Sequence, residues 1–290
     1  MSTIDYIISR LTPIYSPEEA REIAFWVLEE LTGQDRFTLS ACKDTKNISN
    51  IEIILERIIK KEPIQYIFGH ILWSGLDLKL NFSTLIPRPE TAELVTWINN
   101  SLNSKLSPLG ATSLNFKLST LNCLDLGTGS GCIALALKRK HPSWQVTGID
   151  ICSEAIAVAR ENALRNHLEV RFIEQDILSL NSKLLNQTAS LNYDIVVSNP
   201  PYVLESEKVS MESNVLDYEP ASALFVSDDD PLLFYRRIAQ LRLGTWLYFE
   251  INERFGLAVC DLLDSLGYVD IELKRDSYGK ERFVRARLVR

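Results

Sequence analysis

The chain has 290 residues, 46% of them hydrophobic and 24% charged, which predicts a packed core in one large or two modest domains. Its formal net charge of −7 argues against a protein that follows a nucleic-acid backbone with a basic surface. The five cysteines are scattered and form no C-x-x-C pair, so they favour reduced thiols in a cytoplasmic protein over zinc or disulfides. We find neither a signal peptide nor an apolar run long enough for a membrane span, and therefore expect no membrane association.

The first 68 residues have the pattern of a small helical bundle. Ser16-Pro17-Glu18-Glu19 predicts a capped helix start, and apolar residues then recur at helical spacing up to a stop at Gly33. A second amphipathic pattern runs from Ile48 to Ile59. We therefore predict an N-terminal helical domain over residues 1–68.

Residues 69–89 predict a β-hairpin that links this domain to the rest of the chain. Alternating apolar residues flank Ser74-Gly75, and Pro87-Arg88-Pro89-Glu90-Thr91 then leads into a helix that should continue to Ile98. Residues 99–119 are rich in Ser, Asn and Leu and are interpreted as a flexible insertion.

From about residue 120 onward, strand and helix patterns alternate. This alternation predicts an α/β fold, a mostly parallel sheet of seven strands with helices on both faces. The last two strands have no helix between them and turn around Ser277-Tyr278-Gly279, which predicts one antiparallel strand. Residues 90–290 would form this second domain.

The first strand–helix junction of the α/β region predicts a ligand site. Gly127, Thr128, Gly129, Ser130 and Gly131 join the strand Leu121–Leu126 to a helix whose amide groups would face the ligand. The glycines run G-x-G-x-G, which fits a dinucleotide loop less well, and no Lys-Ser or Lys-Thr pair completes a phosphate-binding loop.

Two acids refine the identity of that ligand. Asp150 ends the next strand at the distance expected of a group that binds ribose hydroxyls. Asp125, just before the glycines, would repel a phosphate but suits a cationic amino-acid moiety. S-adenosylmethionine carries an ammonium, a sulfonium and a ribose, and fits these features. Asp176, after the third strand, would accept from the adenine amino group, although a helix cap explains it equally well.

Asn199-Pro200-Pro201-Tyr202 follows the buried strand Tyr193–Ser198 and predicts a device that holds a planar amino group. The Asn199 amide oxygen and the Pro200 carbonyl can each accept a hydrogen bond, and the two prolines stiffen the loop. Tyr202 would lie against a flat substrate group. A plain turn is the alternative for these four residues taken alone.

Together with the Pro87–Thr91 run, Glu62–Gly69, Tyr218-Glu219-Pro220 and Asp276–Arg282, these motifs cover nearly the whole chain. The sequence resembles the PrmC/HemK family, the N5-glutamine methyltransferases of peptide-chain release factors, which have a class I, Rossmann-like methyltransferase domain. Two departures are the long insertion at 99–119, and Ile177 where some relatives have an aromatic residue beside the adenine.

The resemblance implies methyl transfer from S-adenosylmethionine to the side-chain amide of a glutamine in a Gly-Gly-Gln loop, with S-adenosylhomocysteine as product and no metal. It implies catalytic roles for Asn199, Pro200 and Tyr202, substrate contacts from the whole Asn199–Tyr202 run, and cofactor contacts that include Ile177 and Asn199. The N-terminal domain would grip the release factor, and the enzyme would be a cytoplasmic monomer with no direct contact to nucleic acid.

Other interpretations remain open at this point. A nucleic-acid adenine or guanine N-methyltransferase uses the same four-residue device on a flipped base. A methyltransferase for a ribosomal-protein glutamine and a non-catalytic cofactor-binding scaffold are the others. Phe82 and Pro89-Glu90-Thr91 are candidates to close over the site, with a buried hairpin residue favoured for Phe82. Arg88 and Glu219 are considered as an ion pair that braces it.

Overall fold

The computed structural model describes residues 2–41, 50–105, 120–180 and 193–289. By its internal contacts the chain divides into two compact units, residues 1–69 with 212–218, and residues 70–211 with 219–290. Among the described residues, no helix is long and apolar enough to cross a membrane.

The first unit is helical. Its helices are α1 (Thr3–Leu11), α2 (Pro17–Thr32), α3 (Arg36–Ala41), α4 (Ile51–Ile59), α5 (Ile64–Phe68) and, from the later segment, α9 (Ser213–Tyr218). Ser16 caps α2 by accepting a hydrogen bond from the Glu19 amide, with Pro17 in the first turn, and Gly33 ends it in the left-handed conformation, as predicted. Ile48 lies outside the described residues.

The second unit begins with the predicted hairpin of β1 (His70–Trp73) and β2 (Leu76–Lys79). Ser74 and Gly75 both have positive φ, which the tight turn between antiparallel strands requires. Helix α6 (Pro89–Lys105) follows. It continues past Ile98, so residues 99–105 of the predicted flexible insertion are helical, and this part of the prediction was wrong. Residues 106–119 lie outside the described residues.

A seven-stranded sheet forms the centre of the second unit, in the order β10-β11-β9-β6-β3-β4-β5. Its strands are β3 (Asn122–Leu126), β4 (Gln145–Asp150), β5 (Arg171–Glu174), β6 (Tyr193–Ser198), β9 (Gly244–Glu250), β10 (Tyr268–Arg275) and β11 (Glu281–Leu288). β11 runs antiparallel to both of its neighbours, whereas the other pairs are parallel. The predicted fold class is confirmed.

Helices cover both faces of this sheet. One apolar cluster joins the sheet to α6, α7 (Cys132–Lys140) and α8 (Ser153–Arg165), and a second joins it to α11 (Leu233–Leu241) and α12 (Gly256–Ser265). The segment after β6 adds short elements that the sequence did not predict: β7 (Val203–Leu204), a 3-10 turn (Glu205–Ser210), α10 (Ala221–Leu224) and β8 (Phe225–Val226).

Candidate active site

The predicted site residues meet at one edge of the sheet. β3 lies between β6 and β4, and Leu126 pairs with Ser198 on one side and with Ile149 on the other. The residues that follow these strands therefore emerge side by side: the glycine loop, Asp150 and Asn199. The chain order reverses its direction across the sheet at β3, and a reversal of this kind leaves a crevice for a ligand.

A cavity of about 270 Å³ opens at this edge. Of the residues predicted to form the site, those on its wall are Gly127, Thr128, Gly129, Ser130, Asp150, Asp176, Ile177, Asn199 and Pro201. Gly131, Pro200 and Tyr202 are not among the wall residues. Pro87, Arg88 and Thr91 also line the cavity, so the Pro87–Thr91 run and the glycine loop share it.

Glycine is required at the positions of this loop for two different structural reasons. Gly127 and Gly129 have φ of +74° and +53°, and a Cβ on Gly129 would meet no protein atom within 4 Å. Gly129 therefore leaves open space on the cavity side for a ligand to approach the backbone. Gly131, at φ +82°, would place a Cβ only 3.0 Å from the Phe172 ring, so it serves the packing of the loop against the sheet.

Asp125 is not at the cavity, contrary to the role predicted for it. Its carboxylate is fully buried and accepts hydrogen bonds from the Thr128 hydroxyl at 2.6 Å and the Ala134 amide at 3.2 Å. Burial raises the pKa of Asp125 to about 7. Because Ala134 lies in the first turn of α7, this carboxylate closes the glycine loop onto the start of the helix.

Asp150 presents its carboxylate to the cavity with both oxygens already oriented. Oδ2 accepts from the Gly129 amide at 2.8 Å and Oδ1 from the Cys152 amide at 3.0 Å. Burial raises the pKa of Asp150 above its ordinary value. Each oxygen has a second lone pair, so the pair of oxygens can accept from two neighbouring hydroxyls, as a ribose offers.

Asp176, Ile177 and Ile151 form an adjoining polar and apolar part of the wall. Asp176 Oδ1 accepts from the Leu178 amide at 2.8 Å, which fixes the turn after β5. Ile177 is buried, whereas Ile151 is 61% exposed although it is a large apolar side chain. Sequence reasoning missed Ile151. The available signal was an apolar residue directly after the acid that ends a strand.

Asn199 belongs to a hydrogen-bonded chain of polar side chains. Its Nδ2 donates to Thr91 Oγ1 at 3.3 Å, and Thr91 Oγ1 donates to Glu250 Oε2 at 2.7 Å. The Tyr202 hydroxyl donates to the other oxygen of Glu250 at 3.1 Å. The Tyr202 hydroxyl is thus held by Glu250, and the substrate contact expected of Tyr202 stays a prediction.

Glu250 is the second residue that sequence reasoning missed. It ends β9 after the apolar run Trp246–Phe249 and is 1% exposed. Burial raises its pKa to about 7, while the hydrogen bonds from Thr91 and Tyr202 and the charge of Arg282 act in the opposite direction. An acid placed at the end of a buried strand was the signal in the sequence.

The Pro87–Thr91 run is held by contacts within the second unit. Arg88 forms an ion pair with the buried Glu219 at 2.5 Å, and the other oxygen of Glu219 accepts from the Ile86 amide. The Trp73 indole donates to the Arg88 carbonyl at 3.0 Å. The ion pair considered from the sequence is present. Phe82, by contrast, is 53% exposed, so its interpretation as a buried residue was wrong.

The residues present fit S-adenosylmethionine. An open glycine loop, a carboxylate with two lone pairs for a diol, and an apolar wall beside an acid correspond to its amino-acid, ribose and adenine parts. Within residues 2–41, 50–105, 120–180 and 193–289, no group of three metal-ligating side chains is close enough to hold a metal ion.

Comparison with known proteins agrees with this geometry. A family model described as "Methyltransferase small domain" matches residues 109–217. The catalytic domain of human METTL16, solved with a 3′UTR hairpin, superposes with a TM-score of 0.54 at 14% identity, over 74% of this chain and 77% of that one. The METTL16 N-terminal domain with SAH gives a TM-score of 0.51 at 16% identity, with the same coverages. At these identities the likeness shows the fold alone.

Sequence relatives are far closer. A release factor glutamine methyltransferase from Bacteroides thetaiotaomicron is 40% identical over 97% of this chain and 97% of its own length. One from Flavobacterium psychrophilum is 39% identical over 96% and 95%, and one from Streptococcus pneumoniae is 37% identical over 81% and 78%. Identity at this level over almost the full length, together with the fold and the site, shows that this chain belongs to the release factor glutamine methyltransferase family.

Proposed function

We propose that the protein transfers a methyl group from S-adenosylmethionine to the side-chain amide nitrogen of the glutamine in the Gly-Gly-Gln loop of peptide-chain release factors. The observation that carries this proposal is the position of Asn199. It lies on the wall of the cavity that the glycine loop and Asp150 also line. Within the described part of the chain its Nδ2 has a partner and its Oδ1 has none.

Asn199 would hold the glutamine amide for attack. An amide nitrogen is a weak nucleophile, because its lone pair is delocalised into the carbonyl. The Asn199 Oδ1 can accept one of its N–H groups, which would direct the nitrogen toward the cofactor side of the cavity. The carbonyl of Pro200, which is not itself a wall residue but lies between the wall residues Asn199 and Pro201, would accept the other. When bound, S-adenosylmethionine supplies an electrophilic methyl group, so the protein's part is to position the amide and exclude water.

The other cavity residues would hold the cofactor. Gly127 to Ser130 offer backbone that a ligand can approach closely, and Asp150 offers acceptors for two hydroxyls. Asp176 would accept from the adenine amino group, with Ile151 and Ile177 as apolar contacts. Gly131 would act through packing, because it does not line the cavity.

A protein substrate would give the helical first unit a role in substrate binding. The net charge of −7 favours a protein partner over nucleic acid, and a separate helical unit can provide a surface for such a partner. We propose that this unit binds the body of the release factor while the Gly-Gly-Gln loop reaches the cavity. The enzyme would act as a monomer in the cytoplasm.

The test is incubation of the protein with labelled S-adenosylmethionine, purified release factor and nucleic acid as a competing acceptor, followed by mass mapping of the product. We expect label on a single glutamine. Label on nucleic acid alone, with no glutamine product, would overturn the proposal in favour of a base methyltransferase, and a parallel binding measurement with nucleic acid at varied salt separates the two.

The Asn199→Ala variant tests the assigned role of that residue. We expect it to bind S-adenosylhomocysteine nearly as well as the parent, because other residues supply most of the cofactor contacts, and to lose most methyl transfer. Near-normal turnover in this variant would show that Asn199 does not hold the amide.

A further inference from the structure

Three elements contribute side chains to one series of hydrogen-bonded polar groups that leads from the cavity wall into the interior. Asn199 follows β6, Thr91 lies in the first turn of α6, and Glu250 ends β9. Thr91 is 2% and Glu250 1% exposed, so water does not compete for the hydrogen bond between them. Asn199 is half-buried and lies on the cavity wall, and among the described residues its amide oxygen has no hydrogen-bond partner.

In this series of hydrogen bonds, the chemistry fixes which group is the donor and which is the acceptor. An ionised carboxylate has no proton and can only accept. The single hydroxyl proton of Thr91 is therefore used on Glu250 Oε2 at 2.7 Å, and Thr91 has only lone pairs to offer on its other side. The Asn199 group that satisfies a lone pair is Nδ2, which donates to Thr91 Oγ1 at 3.3 Å.

This assignment of donor and acceptor decides which end of the Asn199 amide faces the substrate. Its oxygen and nitrogen ends have nearly the same shape, so packing discriminates weakly between the two orientations. With Nδ2 tied to Thr91, Oδ1 is the end left for the cavity. The reversed amide would present N–H donors to the N–H donors of a glutamine side chain, and no hydrogen bond would form.

We propose that Glu250 and Thr91 are positioning residues, which fix the orientation of the Asn199 amide so that its oxygen accepts from the substrate nitrogen. This inference rests on the proposed function, because it assumes that Asn199 holds an amide N–H. Tyr202 supports the same arrangement from the other side, since its hydroxyl donates to Glu250 Oε1 at 3.1 Å and helps to hold the carboxylate in place.

The test compares Thr91→Val with Thr91→Ser. Valine keeps the shape of threonine but has no hydroxyl, whereas serine restores the hydroxyl and lacks only the methyl group. We expect Thr91→Val to lower kcat for release-factor methylation by about tenfold to a hundredfold, the loss typical of a hydrogen bond to a charged partner. We expect Thr91→Ser to remain within about threefold of the parent, which corresponds to less than 1 kcal/mol.

Two further readouts separate positioning from a general structural role. The Kd of Thr91→Val for S-adenosylhomocysteine should stay close to the parent value, and its Tm should fall only by the few degrees expected when the buried Glu250 carboxylate loses one donor. If Thr91→Val and Thr91→Ser lose activity equally, or if Thr91→Val weakens cofactor binding as much as it slows transfer, packing is the cause and the proposal is overturned.

Asn199→Ala, measured in the same series, separates this inference from the proposed function. Loss of transfer in Asn199→Ala with parental activity in Thr91→Val would overturn the positioning role alone. Parental activity in Asn199→Ala would instead remove the assumption on which both depend.

Discussion

At the scale of single residues, the glycine loop shows how one motif serves both ligand binding and packing. Gly131 is required because the Phe172 ring, Ala159 and Leu135 leave no room for a side chain. Gly129 is surrounded by open space on its Cβ side and is required by its positive φ and by its place on the cavity wall. The two positions should therefore respond differently to the same added methyl group.

We predict that Gly129→Ala weakens cofactor binding. Its Cβ would project into open space at a cavity-lining position, and its left-handed backbone would cost about 1 kcal/mol in stability. We expect the Kd for S-adenosylhomocysteine, measured by calorimetry, to rise about tenfold or more, a loss of at least about 1.4 kcal/mol.

Gly33→Ala is the matched control for this variant. Gly33 has φ of +66°, also with no protein atom within 4 Å of an added Cβ, but it ends α2 in the first unit and is not among the residues that line the cavity. It should show a similar loss of stability with no change in Kd. Equal weakening of cofactor binding by both substitutions would mean that strain, and not the cavity position of Gly129, is responsible.

The carboxyl group of Glu250 introduces a pH dependence at the same scale. Burial raises its pKa from 4.5 to about 7. Arg282 and the hydroxyls of Thr91 and Tyr202 favour the ionised form, and Glu90 disfavours it. Below this pKa the protonated group can donate to Thr91, which frees the Thr91 proton to turn toward Asn199. Activity should therefore fall as pH decreases through about 7.

We predict that Tyr202→Phe moves this acid limb to higher pH. The Tyr202 hydroxyl lowers the pKa of Glu250 by donating to it, so its removal should raise that pKa further. The measurement is the pH profile of kcat at saturating cofactor, with a larger loss at pH 6.5 than at pH 9 in the variant. Asp125 also has a pKa raised to about 7, so an unshifted limb would assign the limb to Asp125 or another group.

At the scale of elements, the strands were predicted most closely where local and tertiary preferences agree. Tyr193–Ser198 is buried along most of its length, and its apolar, β-branched run matched the strand residue for residue. The end of α6 was missed because Ser and Asn lower helix propensity, yet Ser101 is buried and donates to the Trp97 carbonyl within the helix. The short elements between residues 203 and 226 were not predicted, because they have too few residues to show a hydrophobic periodicity.

The site was predictable as far as it depends on strand ends, and less so where side-chain direction decides. The positions of the glycine loop, Asp150 and Asn199 could be predicted, because the carboxyl ends of parallel strands lie at one edge of the sheet. Asp125 has suitable chemistry but turns inward, toward the Ala134 amide, and the Tyr202 hydroxyl is held by Glu250. Their directions are set by partners distant in sequence, which one local motif does not reveal.

At the scale of the whole molecule, the chain passes between its two units more than once. Residues 212–218 belong to the helical unit, and within it the Tyr218 hydroxyl donates to the Lys60 carbonyl. The next residue, Glu219, belongs to the other unit and pairs with Arg88 there. One continuous segment thus contributes to the fold of the helical unit and to the bracing of the cavity wall.

We predict that the helical unit determines affinity for the whole release factor without taking part in transfer. Phe37 and Ile53, on α3 and α4, are 85% and 61% exposed, so they offer apolar contacts on the surface of the helical unit. The double variant Phe37→Ser, Ile53→Ser should fold normally because it alters exposed positions. We expect the KM for intact release factor to rise about tenfold, the loss expected of one or two interface anchors, with kcat unchanged.

Two comparisons test this prediction: a short peptide against the intact release factor as substrate, and substitutions in the helical unit against substitutions in the other unit. A short peptide with the Gly-Gly-Gln sequence contacts the cavity alone, so its methylation rate should be the same in the parent and in the double variant. Leu164→Ser, Leu257→Ser changes two equally exposed apolar residues of the other unit and should leave the KM for the release factor unaltered. If peptide and intact factor lose rate together, the effect comes from the fold of the enzyme, and the helical unit has no separate part in recognition.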